Sequence, residues 1–123
     1  MNKGINVSLG TDGQGSGSNM DMFETMKFTA LLQKGINENP MDMMAYDVIK
    51  LATINGAKAI GKENEIGSID INKKADLIAI NLESTCVNKP INDIFSTIVY
   101  NAKGINIEFT MINGEILLNN LKK

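Results

Sequence analysis

The sequence predicts an α/β chain in which one strand and a run of helices precede a small, mostly β second half. Three observations predict it. Apolar residues alternate at Ile5, Val7 and Leu9; they recur at helical spacing between residues 20 and 60; and β texture dominates after Gly61, ending in an Asn113-Gly114 hairpin signal. At 123 residues, 43% hydrophobic and 21% charged, the chain can form one compact domain or two small substructures on a shared core.

The first strand, INVSLG over residues 5–10, stops at TDGQGSGSN, residues 11–19, which reads as a flexible loop because small residues run from Gly15 to Ser18. Phe23, Met26, Ala30 and Leu31 outline a helix over residues 20–33, with Asp21 and Glu24 favourably placed near its positive end and Gly35 closing it. Asn39-Pro40 marks a turn. Met44, Val48, Leu51 and Ala52 outline a second helix over residues 42–52, and Thr53 is expected to cap a short third one that Gly61 closes.

After Gly61 the segments Ile66-Gly67-Ser68 and Asn72-Lys73-Lys74 are turn-rich, and ADLIAINL, residues 75–82, reads as a buried strand. A single helical turn is expected over residues 90–96, followed by β-prone Ile98-Val99-Tyr100. The clearest hairpin is IEFTMI, Asn113-Gly114, EILL, because both central positions of a type I′ turn need positive φ.

The charge balance excludes some functions. Twelve basic and fourteen acidic residues give a formal charge of -2, so no global field draws the chain to nucleic acid or to an anionic membrane, and neither partner is expected. The Lys122-Lys123 pair reads as a solvated tail. No run reaches the roughly 18 apolar residues of a membrane span. One cysteine, Cys86, forbids an internal disulfide and reads as a small packed hydrophobe, which fits a reducing, cytoplasmic setting. Histidine is absent, so the chain cannot by itself build a histidine-based metal site.

The strongest chemical candidate is Leu9-Gly10-Thr11-Asp12-Gly13, an acidic side chain at the C-terminal end of a strand, where parallel α/β folds collect catalytic groups. Asp-Gly at a strand end is also an ordinary turn pair. The alternating Gly13, Gly15 and Gly17 give neither a dinucleotide nor a P-loop spacing, and an EF-hand loop counted from Asp12 would carry Gln14 and Ser16 at its third and fifth positions and lacks the glutamate at its twelfth. Asp21, Glu24, Asp42 and Asp47 read as solvated or helix-terminal charges. Met20, Met22, Met26, Met41, Met43 and Met44 read as core filler.

LGTDG at 9–13, DMFE at 21–24, LATINGAKAIG at 51–61 and IGSIDINKKADLIAI at 66–80, taken in that order, resemble the C-terminal part of the amidohydrolase superfamily. The branch they resemble holds the S-adenosylhomocysteine, methylthioadenosine and adenosine deaminases. VYNAKG at 99–104 and MINGEIL at 111–117 look like the closing strands of that family. The resemblance implies an α/β fragment: the last strand and helix of a (β/α)8 metal-dependent hydrolase barrel with linking helices over residues 1–61, and part of a small C-terminal β-sandwich over residues 62–123.

It further implies that Asp12 is both a metal ligand and the catalytic carboxylate, contacting one divalent ion, zinc or iron, and moving a proton from metal-bound water to the departing amine. The small-molecule substrate would be an adenosine-like nucleoside or a related aminated heterocycle. The remaining ligands of such a site are histidines, and a barrel needs about 250 residues, so the chain is expected to be inactive alone. Gly17-Ser18 stands where this branch commonly has two asparagines. Exposed strand edges also lead us to expect a homo-oligomer. The rival reading is a stand-alone, non-catalytic α/β interaction module in which Asp12 is only a turn residue.

Overall fold

The structure, a computed structural model, describes residues 4–17, 19–83 and 90–121. Ser18, Cys86 and the Lys122-Lys123 pair lie outside the described residues. Within them five helices and a three-stranded antiparallel sheet bear out the α/β reading.

The glycine-rich loop is more ordered than expected. Gln14–Gly17 closes one helical turn, α1, through amides of Ser16 and Gly17 that both donate to the Gly13 carbonyl. Helix α2, Met22–Ile36, begins where Asp21 Oδ1 accepts the Phe23 amide at 2.8 Å. It runs past Gly35, its expected stop. A glycine inside a helix costs only about 1 kcal/mol, and the chain is released at Asn37, whose amide returns to the Gln33 and Gly35 carbonyls.

Helix α3, Ala45–Ala52, starts three residues later than expected, because Asn39 holds a turn by accepting the Met41 amide and donating to Asp42. Helix α4, Ile54–Ala59, follows at once, and Gly61 leaves it at φ +68°. Thr53 does not cap it. Its hydroxyl donates instead to the Ile49 carbonyl at 2.7 Å, the common back-bond of a threonine one turn on.

Strand β1, Leu77–Ile80, is the inner part of the predicted segment 75–82. It pairs antiparallel with β2, Ile107–Ile112, and β2 pairs with β3, Glu115–Asn119. The hairpin is as predicted: Asn113 and Gly114 stand at φ +50° and +82° between the partners Ile112 and Glu115.

The larger correction is helix α5, Ile94–Tyr100. It replaces both the single turn over 90–96 and the β-prone Ile98-Val99-Tyr100, so VYNAKG supplies no closing strand. Asp93 accepts the Phe95 and Ser96 amides, and the resulting helix buries Thr97 and Val99. A cap and a buried face outweigh weak β propensity.

The core lies where α2, α3 and α5 meet. Phe23, Met26, Ala30, Ala45 and Val48 pack with Leu82, Val99 and Ala102, and the sheet enters through Ile80 and Ile107. Both halves of the chain therefore share one core. The methionines only partly follow expectation: Met26 is buried and Met22 and Met43 are half-buried, but Met20, Met41 and Met44 are exposed, since the surfaces they face have no covering element among the described residues. No helix among the described residues is long and apolar enough to cross a membrane.

Candidate functional site

Residues 4–10 join no sheet, which corrects the predicted strand. A strand is defined by hydrogen-bonded neighbours, and here the segment lies instead along the helices. The Leu9 amide donates to the Leu51 carbonyl at 3.1 Å, Asn6 Nδ2 to the Asn55 carbonyl, and Asn55 Nδ2 to the Val7 carbonyl. These contacts fix the chain just before the LGTDG motif.

Asp12 then turns the backbone at φ +60°, a left-handed conformation that aspartate tolerates better than most residues. Its Oδ1 accepts the Gly13 amide at 2.6 Å, while the Thr11 hydroxyl donates to the Asp12 carbonyl at 3.2 Å. The side chain is exposed. Helix α1 folds back over this turn so closely that a Cβ at Gly17 would lie 2.8 Å from the Thr11 carbonyl oxygen. Gly17 is thus required by close approach, a role that the strict glycine alternation did not reveal.

The far end of the loop is held by Asp21. Asn19 Oδ1 accepts the Asp21 amide, Asp21 Oδ1 caps α2, and Asp21 Oδ2 accepts the Gly104 amide at 2.8 Å, a contact 83 residues away in sequence. The sequence reading placed Asp21 at the helix start but had no signal for this long-range clasp. Asp21 also borders an open, mainly apolar groove of about 660 Å³ lined by Met20, Met22, Ile49, Ile78 and Ile98, which Asp12 does not line.

The other acidic candidates do not converge. Glu24 is exposed on the first turn of α2, Asp42 accepts from Asn39, and Asp47 pairs with Lys50 at 2.7 Å. That contact raises the Lys50 ammonium above its ordinary value. Among the described residues no group of three or more histidine, cysteine or acidic side chains could hold a metal ion. A single carboxylate does not fit a divalent ion, which takes four or more ligands, so Asp12 by itself makes no metal centre.

A second organised element escaped sequence reading. Lys73, in the turn-rich Asn72-Lys73-Lys74 segment, has a side chain only 13% exposed. Its ammonium donates to the Glu63 carbonyl and the Ser68 hydroxyl, tying together the turn that carries Gly67.

The family model described as "Amidohydrolase family" matches residues 1–117. The chain is 40% identical over 118 residues to the 5-methylthioadenosine/S-adenosylhomocysteine deaminase of Caldanaerobacter subterraneus subsp. tengcongensis, covering 96% of this chain and 27% of that one. It is 41% identical over 122 residues to the 5'-deoxyadenosine deaminase of Methanosarcina acetivorans, covering 99% of this chain and 28% of that protein. In three dimensions it resembles an adenosine deaminase from Xanthomonas campestris solved with bound zinc, with a TM-score of 0.90 and 31% identity over 94% of this chain and 26% of the other. The chain therefore spans little more than a quarter of the length of these relatives. A match over residues 1–117, in a fold that superposes on a deaminase, means that the chain belongs to the amidohydrolase family.

Proposed function

We propose that the chain is the C-terminal part of a metal-dependent amidohydrolase that replaces the amino group of an adenosine-like nucleoside by water, releasing ammonia, and that it is inactive alone. The observation that carries this is the 40% identity to a methylthioadenosine/S-adenosylhomocysteine deaminase across 96% of the chain. Residues 1–61 would close the (β/α)8 barrel and supply its linking helices, and residues 62–123 would form part of the β-sandwich. Asp12 is the catalytic and metal-binding carboxylate that this chain contributes. The ion, zinc or iron, is completed by ligands from outside it. In isolation the exposed Ile5 and Val7 are proposed to drive homo-oligomers.

The test is a fusion in which this chain replaces the matched 27% of the Caldanaerobacter deaminase. With zinc or iron the fusion is expected to release ammonia from methylthioadenosine or adenosine, and Asp12→Asn to lower the rate by on the order of 1,000-fold. The isolated chain should show no turnover. Turnover by the isolated chain, or an Asp12→Asn fusion at full rate, would overturn the assignment.

A further inference from the structure

The chain holds two Asn-Gly pairs, Asn55-Gly56 and Asn113-Gly114. An asparagine before glycine can lose its side-chain amide without any enzyme, because glycine has no Cβ to keep its own nitrogen from reaching the asparagine side chain. The two pairs stand in opposite settings. Asn55 is half-buried within α4, and its Nδ2 donates to the Val7 carbonyl at 3.1 Å. Asn113 is exposed at the tip of the β2–β3 hairpin, and its carboxamide makes no hydrogen bond among the described residues.

What restrains Asn113 is the backbone. Its amide donates to Asp76 Oδ1 at 2.7 Å, and the Gly114 amide donates to the Ala75 carbonyl at 3.1 Å. The segment just before β1 thus clasps the turn from 37 residues away in sequence. Deamidation begins with a ring closure in which the Gly114 nitrogen sheds its proton and swings onto Asn113 Cγ. Donation of that proton to Ala75 opposes the first requirement, and the left-handed turn, at φ +50° and +82°, opposes the second.

We propose that Asn113 is a self-deamidation site gated by the Ala75-Asp76 clasp, silent while the tip is held and reactive each time it opens. In the open tip the Gly114 nitrogen bonds to Asn113 Cγ, the Cγ–Nδ2 bond breaks, and the Gly114 proton leaves with Nδ2 as ammonia. Water then opens the five-membered imide at either carbonyl, giving aspartate or isoaspartate. The sum is amide plus water to carboxylic acid plus ammonia. Either product places a carboxylate on a residue whose amide is held by the Asp76 carboxylate. Isoaspartate also adds a backbone methylene to the turn that sets the β2–β3 register. The change is therefore one-way, and it loosens the hairpin. The inference stands on this turn alone and not on the deaminase reading.

The experiment incubates the full chain at mildly alkaline pH and follows both Asn-Gly sites by peptide mass spectrometry, in folded and guanidinium-unfolded wild type and in Asp76→Ala and Asp76→Asn folded by circular dichroism. Asn113 should react on the order of 10-fold more slowly folded than unfolded, yet faster than Asn55 in the folded chain. Asp76→Ala should quicken both Gly114 amide exchange and Asn113 deamidation about fivefold, the opening gained when one exposed hydrogen bond is lost. Asn55 should keep its wild-type rate. Asp76→Asn retains an acceptor oxygen and should restore protection. Were Asp76→Ala to unfold the chain, Asp76→Ser, too short to reach the turn, takes its place. Equal rates for folded and unfolded Asn113, faster Gly114 exchange without faster deamidation, or both sites quickening together in the folded variant would each overturn the gate. A folded chain in which Asn55 reacts first would overturn the choice of site.

Discussion

Asp21 holds the loop that carries Asp12 at its far end, and its removal has a magnitude that can be worked from the contacts. Replacing Asp21 by alanine deletes an N-cap on the Phe23 amide, which is worth about 1 kcal/mol. It also deletes the 2.8 Å hydrogen bond from the Gly104 amide, worth about another 1 kcal/mol where water can partly replace it. The sum is about 2 kcal/mol, read as the loss of unfolding free energy in urea. Asp21→Ser separates the two parts, since serine can cap the helix but is too short to keep both contacts, and should lose about 1 kcal/mol. Amide exchange at Gly104 should quicken in both variants and at Phe23 only in the alanine variant. If Asp21→Ala loses less than about 0.5 kcal/mol, or if the serine variant is as unstable as the alanine one, the clasp does not do what its geometry implies.

Two further outcomes are expected. A methyl group at Gly67 would lie 2.7 Å from Ala57 Cβ and 3.0 Å from Ile54 Cα at φ +89°, so Gly67→Ala should cost about 3 kcal/mol in urea unfolding, combining overpacking with a left-handed backbone; a loss under about 1 kcal/mol would show that α4 and the 66–68 turn can separate freely. Ser96, through its hydroxyl and amide, and the Phe95 amide hold the Asp93 carboxyl below its ordinary value. A depressed folded value means that its stabilisation is complete above the unfolded value and is lost as pH falls through the folded one. Melting temperature should therefore fall on acidification below about pH 4, and Asp93→Asn should flatten that limb; an unchanged acid limb would refute the cap's contribution.

What the sequence made legible was local. The hairpin was readable because Asn113-Gly114 satisfies its own turn, and α2 because its buried side repeats within the helix. What it hid depends on residues far apart. Ile98-Val99-Tyr100 has strand-like composition, yet burial of Val99 against α2 and α3 and the Asp93 cap make it helical. The alternation at Ile5, Val7 and Leu9 is strand-like in pattern, but a strand exists only with hydrogen-bonded partners, and the described residues supply none. The same nonlocality hid the clasp from Asp21 to Gly104 and the near burial of Lys73.

Asp12 shows why the two readings of the candidate site need not compete. As a turn residue it uses one oxygen, Oδ1, on the Gly13 amide and sets the backbone at φ +60°. An ionised carboxylate has about four acceptor positions on two oxygens, and Oδ2 has no hydrogen-bond partner among the described residues. The turn therefore restrains the carboxylate without consuming it. Leu51 and Asn55 fix the chain before it, and Gly17 and Asp21 fix the loop after it. A carboxylate held on both sides, with an oxygen still free, loses less conformational entropy when a ligand arrives than one on a slack loop. The turn geometry in this chain thus counts in favour of Asp12 as a preorganised component of a larger centre, and Asp12→Asn in the fusion is the substitution that keeps the turn while removing the charge.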